Sequence, residues 1–225
     1  MMSHLEVEIK NLKSEMLEMF LLVKSQLEKS KESLVRLDKD LAREVLVNEK
    51  RVNGFELKLD RDCENIIALF NPVAIDLRFV LACMKINSNL ERIGDIAEGI
   101  CQFVLNIKLE PEKKLLEVTR MLEMYDTSIL ILKEVTEAFD KEDTGLARSV
   151  FKKDEILDEI NLNANQAVAD FIRNNPDRIN QSLYMLSAIR KLERVGDQCK
   201  NIAEEIIFYI EAKVLKHKSK EQKQE

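Results

Sequence analysis

Two hexads carry the clearest chemical signal in this chain: Leu90-Glu91-Arg92-Ile93-Gly94-Asp95 and Leu192-Glu193-Arg194-Val195-Gly196-Asp197. In each, the Glu and Asp are four residues apart, so a helix stacks the two carboxylates one turn apart on one face. That arrangement suits holding a cation better than packing a core. A single Glu/Asp pair at this spacing is ordinarily a solvated helix face, but its return in a second, diverged segment argues for a site. Gly94 and Gly196 return with it. A mid-helix glycine costs about 1 kcal/mol against alanine, so both are expected where a neighbouring helix packs closely.

A second acidic pattern runs beside the first. Leu41-Ala42-Arg43-Glu44-Val45 matches Leu146-Ala147-Arg148-Ser149-Val150, and aligning the segments there sets Glu49, Asn53 and Glu56 opposite Asp154, Asp158 and Asn161. The spacing is i, i+4, i+7, a polar stripe on one helix face, as Glu91, Asp95 and Glu98 form on the next helix and Glu193 and Asp197 on its counterpart. Carboxylate and amide oxygens without imidazole or paired thiolates suit hard or borderline cations: Mg, Mn, Ca or Fe ahead of Zn or Cu. Clustered carboxylates also repel unless a cation, a proton or an arginine intervenes. Arg92 and Arg194 adjoin the pairs but point about 100° round the helix, toward neighbouring carboxylates or a partner.

These stripes need long helices to carry them. Five Gly, three Pro, no Trp and 34% charged residues in 225 make a composition poor in turn formers, which reads as all-α. Apolar spacing predicts a first helix from Leu5 to about Leu37, a turn and cap at Asp38-Lys39-Asp40, and a second helix ending before Asn71-Pro72. Phe79, Ile86, Ile93 and Ile100 define a third. Pro111 is expected in the first turn of a fourth helix that runs through Leu115, Leu122, Ile129 and Phe139. Gly145 is expected in a turn, with a fifth helix from about Leu146 to Asn174-Asn175-Pro176 and a sixth from about Arg178 to Val214. The expectation is two tandem three-helix bundles of the up-down, spectrin-repeat-like kind, related by internal duplication. They would span residues 1–108 and 109–215, followed by a charged, disordered tail at 216–225.

Composition also excludes classes. A net charge of -6 and a pI near 5.3 leave no basic footprint for nucleic acid. No stretch reaches about 18 uncharged apolar residues, and Met1 to Glu8 lack a signal-peptide pattern, so a soluble cytoplasmic protein is expected. Cys63, Cys83, Cys101 and Cys199 are widely spaced and read as free, buried thiols. The only histidines, His4 and His217, sit at the two ends, leaving none for a triad, a general base or a zinc site.

On these residues the chain resembles the PhoU family over nearly its whole length. The hexads carry most of the likeness, with Asp76-Leu77-Arg78 before the first and Asp197-Gln198-Cys199-Lys200-Asn201-Ile202 across the second. The resemblance implies a non-enzymatic regulator that restrains the phosphate-starvation response and phosphate uptake. Its implied partners are a sensor histidine kinase and the ATPase subunit of a phosphate ABC transporter, so that it would reach the membrane only through proteins. It also implies metal on the acidic surfaces: a first site of Glu49, Asn53, Glu91 and Asp95 with Glu56 and Glu98 at hand, and a second of Asp154, Asp158, Glu193 and Asp197. Two departures make the sites unequal, because Asn53 replaces a carboxylate and Lys200 stands opposite Glu98. A homodimer through bundle faces is a further expectation.

Three rivals remain in view. A di-metal carboxylate oxidase would need Glu-x-x-His pairs, and the sequence has none. A metal-independent helical scaffold would use its acidic faces to dock a basic partner. An accessory protein to another phosphate transporter would share every feature above.

Overall fold

A computed structural model of the chain describes residues 3–108 and 110–215. Helix α1 (His4–Arg36) opens on a capping box, in which the Ser3 hydroxyl accepts from the Glu6 amide (3.2 Å) and Glu6 returns an acceptor to the Ser3 amide (2.7 Å). Leu37 turns left-handed (φ 51°) and ends it. Asp38 then caps α2 (Lys39–Phe70), accepting from the amides of Asp40 (3.0 Å) and Leu41 (2.9 Å). Asn71, left-handed before Pro72, closes α2, and α3 (Ala74–Asn106) completes the first set.

The second set departs from expectation at its start. In place of one fourth helix there are two, α4 (Lys113–Val118) and α5 (Met121–Lys141), hinged at Thr119 and Arg120. The Thr119 hydroxyl donates to Leu115 O (2.7 Å). Arg120 takes a left-handed conformation (φ 51°), its guanidinium held by Glu123 and by Glu159. Pro111 precedes the cap residue Glu112 and so lies outside the first turn of α4. Asp143 caps α6 (Thr144–Asn174), which places Gly145 inside its first turn. A 3-10 turn (Pro176–Arg178) leads into α7 (Ile179–Glu211), which ends where Ala212 turns left-handed, three residues short of Val214 and the expected limit. The expected tail at 216–225, with His217, lies outside the described residues.

Helices α1, α2 and α3 pack on one another, as do α5, α6 and α7. The sets join where α3 lies against α7 and α1 against α5. Arg78 Nε donates to Tyr209 O (3.1 Å), Lys85 pairs with Glu205 (3.1 Å) and Asn89 accepts from Asn201 (3.2 Å), so α3 and α7 run antiparallel. Phe20, Phe79, Phe139 and Tyr209 meet at ring-centroid separations of 5.3–6.4 Å, tying α1, α3, α5 and α7 into one continuous core. All four cysteines are buried and free. Among the described residues, no helix is long and apolar enough to cross a membrane.

Candidate metal centre

The α2 seam alternates three- and four-residue steps through Val45, Glu49, Val52, Glu56, Leu59, Cys63 and Ile66. The apolar members are buried, and Glu49, between Val45 and Val52, is buried with them at 4% exposure. Among the described residues it forms no ion pair; the polar side chain beside it is the neutral Gln26 amide, which donates to Val45 O at 2.9 Å and eases the Glu49 charge only slightly. The space Glu49 occupies is provided by α3, because a Cβ on Gly94 would stand 3.0 Å from Glu49 Oε2 and 3.1 Å from Val52 Cγ1. Gly94 thus marks a close approach, as expected, and what approaches is a carboxylate.

Burial above all, then the charges of Asp95, Glu98 and Glu91, push the Glu49 carboxyl up to about 8. Glu56 is raised by burial and then by Asp60 and Asp95, and Glu91 by burial and then by Asp95 and Glu56. These five acids of the expected first site therefore lie close enough to resist one another's ionisation. Asn53, one turn beyond Glu49, is exposed. Asp60 extends the stripe by another turn, and Asn87 of α3 donates both to it and to Glu56 O, each at 2.9 Å. It continues the i, i+4, i+7 series at i+11, a signal that the sequence held and that the expected ligand set omits.

The second half repeats the plan with one change. Asp154 occupies the α6 seam between Val150 and Leu157, at 1% exposure. Gly196 of α7 faces it, and a Cβ there would collide with Asp154 Oδ1 and stand 2.7 Å from Leu157 Cδ1. Here, however, a cation is already in place. The Lys200 ammonium pairs with Asp154 Oδ2 of α6 and with Asp197 Oδ1 of α7, the latter at 2.8 Å. Burial raises the Asp154 carboxyl while Lys200 opposes the rise. Burial disfavours the charge on Lys200, but its bonds to Asp154 and Asp197 prevail and hold it protonated. Glu193 is raised by burial, then by Asp197 and Asp158. The sequence places Lys200 opposite Glu98, yet its pairing with Asp154 depends on how α6 and α7 meet.

The two halves face each other across the α3/α7 seam. Its antiparallel register pairs Lys85 with Glu205, Asn89 with Asn201 and Gly99 with Lys191, which brings residue 94 level with residue 196. Lys191 lies across Gly99 and over the Phe103 ring, 5.7 Å from its centroid. Arg92, Lys191 and Arg194 line, with Asp95 and Glu98, a cleft of about 300 Å³ in this seam. The arginines of both hexads thus meet in one cleft. Among the described residues, no group of three or more His, Cys, Asp or Glu side chains is placed to hold a metal ion; the acids stand as stripes along paired helices.

Comparison with known proteins places the architecture. The PhoU domain family model matches twice, at residues 16–104 and 121–206. The phosphate-specific transport system accessory protein PhoU homolog 1 of Thermotoga maritima is 31% identical over 214 residues, covering 95% of this chain and 91% of that protein. The PhoU accessory protein of Escherichia coli K12 is 30% identical over 93% of this chain and 86% of its own length. The crystal structure of PhoU from Pseudomonas aeruginosa superposes with a TM-score of 0.86 at 27% identity, covering 92% of this chain and 99% of that one.

Proposed function

We propose, from the premise that this chain belongs to the PhoU family, that it restrains a phosphate-specific transport system by binding protein partners in the cytoplasm. Its relatives are named as accessory proteins of such a system, and a transport-accessory, regulatory role is common ground with them. The finer reading is an adaptor without catalytic chemistry, touching the transporter's ATPase subunit and a sensor histidine kinase, and working as a homodimer.

The same reading includes a metal ion with oxygen ligands. The single observation that carries it is the Glu49 carboxyl, buried in an apolar seam with no cation paired to it among the described residues. An uncompensated acid in such a place costs stability, and Gly94 keeps the space open for it. The oxygen donors of the first half are of the kind Mg, Mn or Fe takes, and the two stripes would have to draw together on the ion, because among the described residues no three acids are already placed to hold one. Glu49 would hold the ion from α2 and Asp95, with Glu91 or Glu98, from α3, while Glu56 and Asn53 stand further along the α2 stripe. The ion would supply positive charge that joins the two stripes.

The test is made in cells. Tagged full-length protein, recovered at high and low phosphate, is expected to bring down the ATPase subunit and the kinase in phosphate-dependent amounts, and deletion of the gene is expected to raise phosphate uptake in replete medium. Uptake and partner recovery that both ignore phosphate would sink the regulatory reading.

A further inference from the structure

We propose that Lys200 is a built-in counter-ion that closes the second half to metal, so that this chain takes its cation at the first half. The proposal rests on the metal reading given above. It is carried by a contrast between two equivalent places. In the second half, the Lys200 ammonium bridges Asp154 on α6 and Asp197 on α7, the two residues that correspond to Glu49 on α2 and Asp95 on α3. Joining carboxylates of adjacent helices is what a bound ion would do there, and the ammonium does it with its own positive charge. A metal ion entering this place would have to expel Lys200 from between two acids and then lie beside it. In the first half, the residue matching Lys200 is Glu98, one more acid where the other half has a base. No lysine or arginine pairs with the buried Glu49 carboxyl among the described residues; the polar side chain beside it is the neutral Gln26 amide.

The duplication thus yields one half whose buried acid is neutralised by its own lysine and one whose buried acid is not: Arg92, Lys191 and Arg194 stand with Asp95 and Glu98 in the seam cleft, but none of them pairs with Glu49. Geometry adds that the buried acid of each half is cradled against a glycine, and that Asp154 is ion-paired to Lys200 whereas Glu49 forms no ion pair among the described residues.

Manganese(II) is the probe, added to the full-length protein and followed by calorimetric titration, by electron paramagnetic resonance of the free ion and by its effect on Tm. Wild-type uptake is expected to be lost in Glu49→Gln and unchanged in Asp154→Asn. Lys200→Glu, which reproduces the first half's Glu98, is expected to gain a second uptake that disappears when Asp154→Asn is added. Lys200→Ala serves as a milder variant, with manganese expected to raise its Tm by several degrees more than that of the wild type. Wild-type uptake that falls in Asp154→Asn overturns this proposal while leaving the metal reading standing. Absence of any uptake in the wild type sinks both.

Discussion

Gly94 and Gly196 sit at matching places against matching acids, yet alanine should cost differently at each. Either substitution gains about 1 kcal/mol of helix propensity. At Gly94 the new methyl would press on Glu49 and Val52 at 3.0–3.1 Å, and the Glu49 carboxyl, held by no ion pair among the described residues, can yield by a few tenths of an ångström. At Gly196 it would collide with Asp154, whose short side chain is held by Lys200. Chemical denaturation should find Gly94→Ala within about 1 kcal/mol of the wild type and Gly196→Ala destabilised by about 1–3 kcal/mol. Equal costs would mean that Lys200 does not immobilise Asp154. At this scale the sequence displayed the hexads, the glycines and the spacing of the stripes. It concealed the burial of Glu49 less than it might have, because both Glu49 and Glu56 interrupt a seam of Val45, Val52, Leu59 and Ile66. The partner of Lys200 was hidden, since the residue lies three positions from Asp197 but 46 from Asp154.

Helix ends were legible where a side chain or proline fixed the backbone locally, as at Asp38 and Asn71-Pro72, whereas the start of α6 lies two residues before the expected Leu146, because Asp143 caps it and draws Gly145 into the first turn. The break between α4 and α5 was not, because Leu115, Val118, Leu122 and Tyr125 keep helical spacing straight through it. Its cause is tertiary in part: Arg120 reaches Glu159 on α6 at 2.8 Å. A second tie between elements is testable by pH. Arg148 near the start of α6 binds Glu211 at the end of α7 through two hydrogen bonds of 2.8 and 3.1 Å. Those bonds bring the Glu211 carboxyl down from 4.5 to about 2. A carboxyl depressed by folding stabilises the native state above its unfolded pKa, and that contribution is lost as the pH falls from 4.5 through about 2. Arg148→Ala should therefore lower stability by about 1–2 kcal/mol at neutral pH. In urea titrations repeated near pH 2, its deficit against the wild type should shrink; a deficit independent of pH would assign the loss to packing instead.

At the level of the whole molecule, the repeated helical sets were legible from the matched segments, but the knot of rings between them was not. Phe20, Phe79, Phe139 and Tyr209 come from four helices in both halves. No short-range pattern announces such a meeting. Phe139 touches three of these rings and is fully buried, so Phe139→Ala should cost about 3–5 kcal/mol. Because the knot is shared, calorimetry should show one unfolding transition in both proteins, with the whole of it shifted down in the variant. Two transitions, of which only the later half moves, would show that the halves unfold separately. The seam between α3 and α7 carries a further consequence. An antiparallel pair with residue 94 level with residue 196 has the geometry of an isologous interface between two identical subunits, here tethered within one polypeptide. In an untethered pair, a lysine at the place of Lys200 would appear on both sides and neutralise both. Tethering lifts that obligation, so one copy could acquire the base while the other kept Glu98, and a symmetric frame could come to hold an asymmetric charge.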